Sequence, residues 1–222
     1  MRPWGLIFDV DGVIADTEAL NARASVLMFA ELYGVTVRPE DFQPFIGAGD
    51  DRYVGGVAEQ YGVGIDVEAA VARRAEDFFK LLHDGPLPAA PGVRERVAQA
   101  RATEHVKLAI ATSGRKDKQF PVIQGTGLRL EWFDDVITGD DVTRKKPDPE
   151  IYRLAGQRLG LPPLRCVVIE DAPVGVQAAR GAGMRCVAVL GSAPREALAD
   201  ADLIVENLAE VSVERLEERF GL

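Results

Sequence analysis

Residues 4–12 of the chain, Trp-Gly-Leu-Ile-Phe-Asp-Val-Asp-Gly, form a continuous apolar run that ends in two acidic residues, Asp9 and Asp11. An uninterrupted run of this kind is typical of a parallel strand that is buried on both faces. Similar runs, separated by stretches with helical periodicity, occur at residues 106–111, 166–169, 185–190 and 203–205. This alternation of strands and helices predicts an α/β fold with a doubly wound parallel sheet.

One long stretch after the first strand contains no predicted strand. It carries two helical stripes of apolar residues instead: Leu20, Ala24, Leu27, Met28 and Leu32, then Val67, Ala70, Val71, Phe78, Leu81 and Leu82. A Pro- and Gly-rich segment at 84–92, typical of a hinge, follows the second stripe. The sequence therefore predicts two domains. Residues 1–16 and 88–222 would form an α/β core, and residues 17–87 a helical insertion.

The overall composition excludes several classes of protein. The chain has 222 residues, with 26 basic and 35 acidic side chains and a formal net charge of −9. Such a charge argues against binding nucleic acid or an anionic membrane. Asp9 interrupts the first apolar run, so no signal peptide is predicted, and the two cysteines are expected to be buried thiols in a reducing compartment. We expect a soluble, cytoplasmic monomer.

Polar side chains follow three of the predicted strands. Asp9 and Asp11 follow the first strand, residues 112–114 (Thr-Ser-Gly) follow the second, and Glu170 and Asp171 follow the strand at 166–169. An open α/β sheet binds ligands at the carboxyl ends of its strands. We therefore expect these groups to lie together along one edge of the sheet.

Four carboxylates so close together would repel one another and raise one another's pKa unless a cation neutralised them. Hard oxygen ligands, with no His or Cys nearby, favour Mg²⁺. Lys146, in the sequence Lys-Pro-Asp-Pro, could reach the same edge and bind a phosphate group beside the metal. Each motif alone is more often a turn, a polar loop or a helix N-terminus, but their order at successive strand ends favours a site.

The order of the motifs resembles that of the haloacid dehalogenase superfamily. The pattern is Asp-x-Asp-Gly-Val-x-x-Asp-Thr-Glu from Asp9, then Thr-Ser, then Lys-Pro-x-Pro, then Glu-Asp. More narrowly, it resembles the branch that holds phosphoglycolate-phosphatase-like and β-phosphoglucomutase-like enzymes. The resemblance covers essentially the whole chain and implies a Rossmann-like core with a helical cap inserted after the first motif.

This resemblance also implies roles for individual residues. Asp9 would be the nucleophile that forms an aspartyl-phosphate, and Asp11 the general acid and base. The implied Mg²⁺ ligands are the Asp9 carboxylate, the Asp11 main-chain carbonyl and Asp171, with Glu170 supporting them. The phosphate group would be bound by Thr112, Ser113, Gly114 and Lys146, the last fitting better than Lys145.

Several features of the insertion bear on substrate choice. Residues 45–52 resemble the substrate-facing loop of such caps, in which Arg52 is the candidate for recognising an anion or hydroxyl; the alternative is a solvated loop arginine. Arg73 and Arg74 are expected on a solvated helix face. Two positions depart from the family pattern: Asn21 replaces a common His, and Ala172 replaces a common Ser.

Taken together, the residues and the resemblance predict a Mg²⁺-dependent phosphatase that acts on a small phosphorylated metabolite, such as a sugar phosphate or phosphoglycolate. Two alternatives stay open. One is a phosphosugar mutase, in which the phosphoryl group returns to the sugar, and the other is a non-catalytic regulatory protein on the same fold.

Overall fold

The computed structural model describes residues 2–46, 50–85 and 87–222. The chain divides into two compact units, one formed by Met1–Asp16 and Leu87–Leu222, the other by Thr17–Pro86. The first unit contains a parallel sheet of six strands in the order β3-β2-β1-β4-β5-β6. The strands are β1 (Trp4–Phe8), β2 (Val106–Ala111), β3 (Asp135–Ile137), β4 (Cys166–Glu170), β5 (Arg185–Val189) and β6 (Leu203–Val205).

The predicted fold class is confirmed, since the strands are parallel and helices flank the sheet. Every residue of β1 and β4 is buried, as the continuous apolar runs predict. Strand β3, a short strand that pairs with β2, is not predicted from the sequence. The helices of this unit are α4 (Val93–Ala102), α5 (Lys116–Gly125), α6 (Glu150–Leu159), α7 (Pro173–Gly181) and α8 (Val213–Phe220).

Helix α6 shows how the sequence builds the layer that covers the sheet. Pro149 precedes its first residue, and Gly160 ends it in the left-handed conformation with a φ of 67°, which glycine adopts without strain. Between them, Ile151, Tyr152 and Ala155 are buried against a cluster that includes Ile7 of β1. The helix thereby brings Tyr152 under the carboxyl edge of the sheet.

The regular elements among the described residues of the second unit are all helical. It contains α1 (Glu18–Tyr33), a 3-10 segment at Pro39–Phe45, α2 (Asp50–Tyr61) and α3 (Val67–Asp84). Its core is rich in aromatic residues, and the Phe42 and Tyr53 rings stack with their centroids 5.0 Å apart. This unit therefore has a hydrophobic core of its own.

Three details of the second unit differ from the sequence analysis. In the stripe predicted for α1, Leu20, Ala24 and Met28 are buried, but Leu27 and Leu32 are 39% and 43% exposed. Helix α2 was not predicted, and it contains Arg52, which was expected in a loop. Residues 47–49 of that predicted loop and Pro86 of the predicted hinge lie outside the described residues.

Arg74 also differs from its prediction, because it is buried rather than solvated. Its guanidinium group lies 2.5 Å from Asp50 at the start of α2 and 5.2 Å from the centre of the Tyr53 ring. An arginine that pairs with a carboxylate and packs on an aromatic face satisfies its charge without full hydration. Arg73 contacts Glu31 and Asp77.

Both cysteines are free and buried, as predicted. Burial raises the pKa of the Cys166 thiol to about 11, which keeps it protonated and unreactive near neutral pH. None of the helices in residues 2–46, 50–85 and 87–222 combines the length and the apolar character needed to cross a membrane.

Candidate active site

The register of the central strands brings two acidic residues together at the carboxyl edge of the sheet. Phe8 of β1 lies opposite Ile169 of β4, so the next residues along the two strands, Asp9 and Glu170, are neighbours. The backbone N–H of Asp9 donates to the carbonyl of Ile169 at 3.0 Å, which continues the ladder by one step. The position of the Asp9 carboxylate is thus set by the rigid centre of the sheet.

Lys146 joins these two carboxylates. Its ammonium nitrogen lies 2.6 Å from Asp9 Oδ1 and 2.6 Å from Glu170 Oε1, and 3.4 Å from the carbonyl of Ala111 at the end of β2. The lysine side chain is only 7% exposed, so water screens these ion pairs weakly. The neighbouring Lys145 is exposed and donates instead to the Ser113 carbonyl at 2.8 Å.

The pKa values in this cluster depart from ordinary values for physical reasons. Burial raises the pKa of Asp9 well above its usual range; Lys146 lowers it, whereas Glu170, Asp171 and Asp11 raise it further. Burial, with the nearby Glu170 charge, raises the pKa of Asp171 to about 7. For Lys146, burial lowers the pKa, but the two ion pairs outweigh that effect and raise it. Lys146 therefore stays charged, but its single positive charge does not neutralise the three carboxylates of Asp9, Glu170 and Asp171.

Asp9, Glu170 and Asp171 form the candidate metal site. All three are buried, and one carboxylate oxygen from each lies within 4.8 Å of the other two. The donor set consists of oxygen atoms only, and the raised pKa values of Asp9 and Asp171 indicate a deficit of positive charge. Both properties fit a hard divalent cation such as Mg²⁺. The contribution from the Asp11 main-chain carbonyl stays a prediction.

Glu170 is held by four donors. Besides Lys146, the hydroxyl of Tyr152 donates to its Oε1 at 2.5 Å, and the backbone N–H groups of Asp171 and Ala172 donate to its Oε2 at 3.0 and 3.2 Å. A side chain at Gly175 would overlap with this carboxylate. Glu170 thus accepts backbone N–H groups at the turn into α7 and also belongs to the acidic cluster. Its interpretation as a residue at a helix N-terminus and its interpretation as a site residue are therefore compatible.

Gly12 is required by the position of Asp171. Its φ of 78° lies in the left-handed region, and a Cβ there would overlap with the Asp171 carboxylate. On its other side, Asp171 accepts a hydrogen bond from the hydroxyl of Ser192. Asp171 is therefore fixed between the turn after β1 and the loop after β5.

The remaining predicted residues lie in different surroundings. Thr112 is buried after β2, and its hydroxyl accepts the N–H of Gly114 at 3.1 Å. The Oδ2 atom of Asp11 accepts a hydrogen bond from Gln119 Nε2 at 2.8 Å. In the helical unit, Arg52 pairs with Glu59 at 2.8 Å and lies 5.2 Å from the centre of the Phe45 ring.

Three residues that contact the site escaped the sequence analysis: Tyr152, Ser192 and Gln119. Tyr152 fits the apolar face of α6, so its spacing alone indicates a core residue. Gln119 is the stronger missed signal, because a glutamine at a buried helix position is uncommon. Ser192 follows Gly191 in a loop, where nothing in the local sequence distinguishes it.

The fold and the site together define a class: an α/β protein that carries a buried lysine and an acidic cluster suited to a metal ion at the carboxyl ends of its parallel strands. Comparison with known proteins identifies the family. Residues 6–189 match the model of the haloacid dehalogenase-like hydrolases. The chain therefore belongs to this family, and the predicted family is confirmed.

Individual relatives agree with this assignment. One relative is the protein SUPPRESSOR OF QUENCHING 1, chloroplastic, of Arabidopsis thaliana. The two sequences are 37% identical over an alignment of 222 residues, which covers 95% of this chain but only 20% of that longer protein. It is 36% identical over 187 residues, covering 81% of each chain, to the phosphorylated carbohydrates phosphatase of Thermotoga maritima. The crystal structure of CbbY from Rhodobacter sphaeroides in complex with phosphate matches with a TM-score of 0.80 and 30% identity, over 97% of this chain and 100% of that one.

Proposed function

We propose that this chain is a Mg²⁺-dependent phosphatase that hydrolyses phosphorylated sugars through an aspartyl-phosphate on Asp9. The observation that carries the proposal is the position of Lys146, whose ammonium group lies 2.6 Å from both Asp9 and Glu170 beside a third buried carboxylate, Asp171. One lysine within a metal-suited acidic cluster is an arrangement that can neutralise a phosphoryl group at the nucleophile.

In the first half-reaction, an Asp9 carboxylate oxygen attacks phosphorus. A new P–O bond forms to Asp9 as the bond from phosphorus to the sugar oxygen breaks, and Asp11 donates its proton to that departing oxygen. Burial opposes the ionised form of Asp9, and Lys146 favours it. The lysine therefore has two tasks: it helps to keep the nucleophile charged and it binds a phosphoryl oxygen.

In the second half-reaction, water attacks the same phosphorus atom and its proton passes to Asp11. The bond between phosphorus and Asp9 breaks, inorganic phosphate leaves, and both aspartates return to their starting states. Asp11 thus serves as acid and then as base, a cycle that a carboxyl group at the edge of the site can perform. Thr112 and the adjacent Ser113 and Gly114 would orient the phosphate through hydroxyl and backbone donors.

The metal ion would be held by Asp9 and Asp171, with Glu170 supporting them. When bound, Mg²⁺ supplies positive charge that allows an anionic nucleophile and an anionic phosphate ester to approach each other. Glu170 can support the other ligands because four hydrogen bonds fix its own position. This fixed arrangement keeps the acidic residues in place before substrate binds.

The substrate class comes from the relatives. One is named as a phosphatase of phosphorylated carbohydrates, and a solved relative holds phosphate, so we propose a small sugar phosphate. We expect no nucleic acid or membrane partner, given the net charge of −9. The assignment of residues 17–87 as a substrate-selecting cap, the role of Arg52 and the monomeric state stay predictions.

The test is a phosphate-release screen over phosphorylated sugars and phosphoglycolate in the presence of Mg²⁺, with the Asp9→Asn variant as its partner. An amide is neither a competent nucleophile nor an anionic ligand, so we expect the variant to lose at least about three orders of magnitude in turnover. The variant should remain folded. A variant that keeps a tenth of the wild-type rate would exclude Asp9 as the nucleophile.

Product analysis separates the phosphatase from the alternatives. β-Glucose 1-phosphate is supplied with a trace of the 1,6-bisphosphate, and glucose 6-phosphate is measured against free phosphate. We expect free phosphate to dominate, because Asn21 replaces a common proton-carrying His of the mutase-like relatives. Rapid formation of glucose 6-phosphate would establish the mutase, and no turnover of any compound would favour a non-catalytic protein.

A further inference from the structure

Gln119 is a buried polar residue that contacts Asp11, the proposed acid and base. It lies in the first half of α5 and is only 1% exposed. Its Nε2 atom lies 2.8 Å from Asp11 Oδ2. Asp11 Oδ2 can accept this hydrogen bond when the carboxylate is ionised and also when the proton is carried on Oδ1, so Nε2 is the end of the amide that faces Asp11 in both states. The carbonyl end, Oε1, is thereby turned away from this carboxylate.

The carbonyl oxygen of the Gln119 amide, Oε1, gives evidence for the role of this residue. Oε1 is buried and has no hydrogen-bond partner among the described residues. Most buried polar atoms in proteins are paired, and one that is not lowers stability. An apolar side chain of similar size would avoid this cost. A glutamine at this position is therefore explained by its bond to Asp11 rather than by the packing of the helix.

The packing around Gln119 restricts its movement. A side chain at Gly114 would overlap with the amide of Gln119, so the turn after β2 lies directly against it. Gly114 itself donates its N–H to Thr112, which ties that turn to the end of the strand. The amide is thus packed against the turn formed by residues 112–114, and this contact fixes its orientation.

We propose that Gln119 is a positioning residue for Asp11. Its Nε2 hydrogen bond holds the Asp11 carboxyl group in the orientation from which it protonates the departing sugar oxygen. The inference rests on the proposed function, in which Asp11 acts as the acid. It predicts a specific defect: loss of Gln119 should slow reactions that need the leaving oxygen to be protonated, and spare reactions that do not.

The test replaces Gln119 by methionine, which has a similar length and no donor. Two substrates are compared: the best sugar phosphate from the screen, whose alkoxide needs a proton to leave, and p-nitrophenyl phosphate, whose phenolate leaves unaided. For the sugar phosphate we expect kcat/KM to fall about 10²-fold, the scale of a misplaced catalytic group. For p-nitrophenyl phosphate, the rate of the stoichiometric burst of p-nitrophenol should be unchanged.

A matched control and a stability measurement complete the test. Gln124 lies on the same helix and is exposed, so Gln124→Met should leave the kinetics with both substrates unchanged. The melting temperature of Gln119→Met should stay close to that of the wild type, because the substitution removes the cost of the unpaired carbonyl together with the hydrogen bond to Asp11. A merely structural role for Gln119 predicts a clearly lower melting temperature.

Equal losses with the two substrates, or an unchanged kcat/KM for the sugar phosphate, would overturn the inference. Neither result would affect the proposed function, which depends on Asp9. Conversely, a wild type that releases no phosphate, or an Asp9→Asn variant that stays active, would contradict the proposed function whatever the Gln119 variant does, and the inference that rests on that function would then be wrong as well. The two failures are therefore distinguishable within one set of measurements.

Discussion

Replacing Tyr152 by phenylalanine removes one oxygen atom from the most buried part of the site. The tyrosine is fully buried, and its hydroxyl donates to Glu170 Oε1 at 2.5 Å. Burial, together with the Glu170 charge, raises the pKa of Tyr152 well above its usual range, so the hydroxyl stays protonated and remains a donor. The substitution therefore deletes a hydrogen bond to a buried carboxylate and nothing else.

The size of the effect follows from the surroundings of Glu170. A hydrogen bond to a charged group contributes about 1.5–3 kcal/mol, and here the acceptor is almost completely buried, so water cannot replace the donor. Glu170 keeps Lys146 and two backbone N–H groups, and the aromatic ring that packs 4.9 Å from the lysine nitrogen is retained. We expect the free energy of unfolding to fall by about 1.5–3 kcal/mol, and the melting temperature by about 3–12 °C.

The assay is equilibrium unfolding of the whole chain in denaturant, with thermal unfolding as a second measurement. Tyr33→Phe is the control, because that hydroxyl is exposed and its bond to the Asp66 carbonyl is longer, at 3.3 Å. The control should change stability by less than about 0.5 kcal/mol. If Tyr152→Phe falls within the same range, the hydroxyl does not support Glu170, and the account of that residue is wrong.

Three further predictions concern charge. Lys146→Ala should lower kcat by about 10²–10³-fold, whereas the exposed Lys145 tolerates alanine; equal effects would mean that neither lysine, or both, reaches the phosphate. Chelation of Mg²⁺ should abolish activity, and readdition should restore it. Because the folded state holds the Asp171 proton more tightly than the unfolded state, the stability of the metal-free protein should fall as pH rises from 3.8 to about 7. Added Mg²⁺ should reduce this fall in a pH titration of the melting temperature, and a metal-free protein whose stability rises over that range would contradict it.

The fold could be predicted where burial alone selects the residues. Parallel strands that are covered on both faces need continuous apolar runs, and all five predicted strands occur. Strand β3 could not be found in this way, because it has three residues and begins with Asp135. Its position depends on pairing with β2 and on Asp134, whose carboxylate accepts the N–H of Leu108. Those interactions are tertiary and leave no local pattern.

Helix α2 was missed for a different reason. Gly55 and Gly56 lie at its centre, and adjacent glycines weaken the helical signal of any sequence. The structure explains the second of them, since a side chain at Gly56 would overlap with the Phe45 ring. In α1, Leu27 and Leu32 extend the apolar pattern beyond the face that is buried. A single exposed leucine is common in proteins, so a stripe predicts the buried face only approximately.

The residues of the candidate site also fall into a group that the sequence predicts and a group that it does not. Strand ends bring Asp9, Glu170 and Asp171 together, and the order of the motifs along the chain is sufficient to predict that outcome. The residues that support these groups come from helices and loops distant in sequence. Tyr152 resembles an ordinary core residue of a helix until its hydrogen bond is known, whereas Gln119 stands out only through its burial. Sequence patterns thus indicate the reacting groups better than they indicate the groups that hold them.

The charges of the site explain why metal and substrate should bind together. Three carboxylates of the cluster face one ammonium group, so the fully ionised cluster is negative and would repel a phosphate ester. Protons reduce that charge at low pH, as the pKa of Asp171 near 7 indicates, but a protonated carboxyl group is a poor metal ligand. A divalent cation reduces the charge without this loss. Each ligand therefore lowers the electrostatic cost of binding the other, and we expect phosphate to increase the affinity for Mg²⁺ in a calorimetric titration at neutral pH.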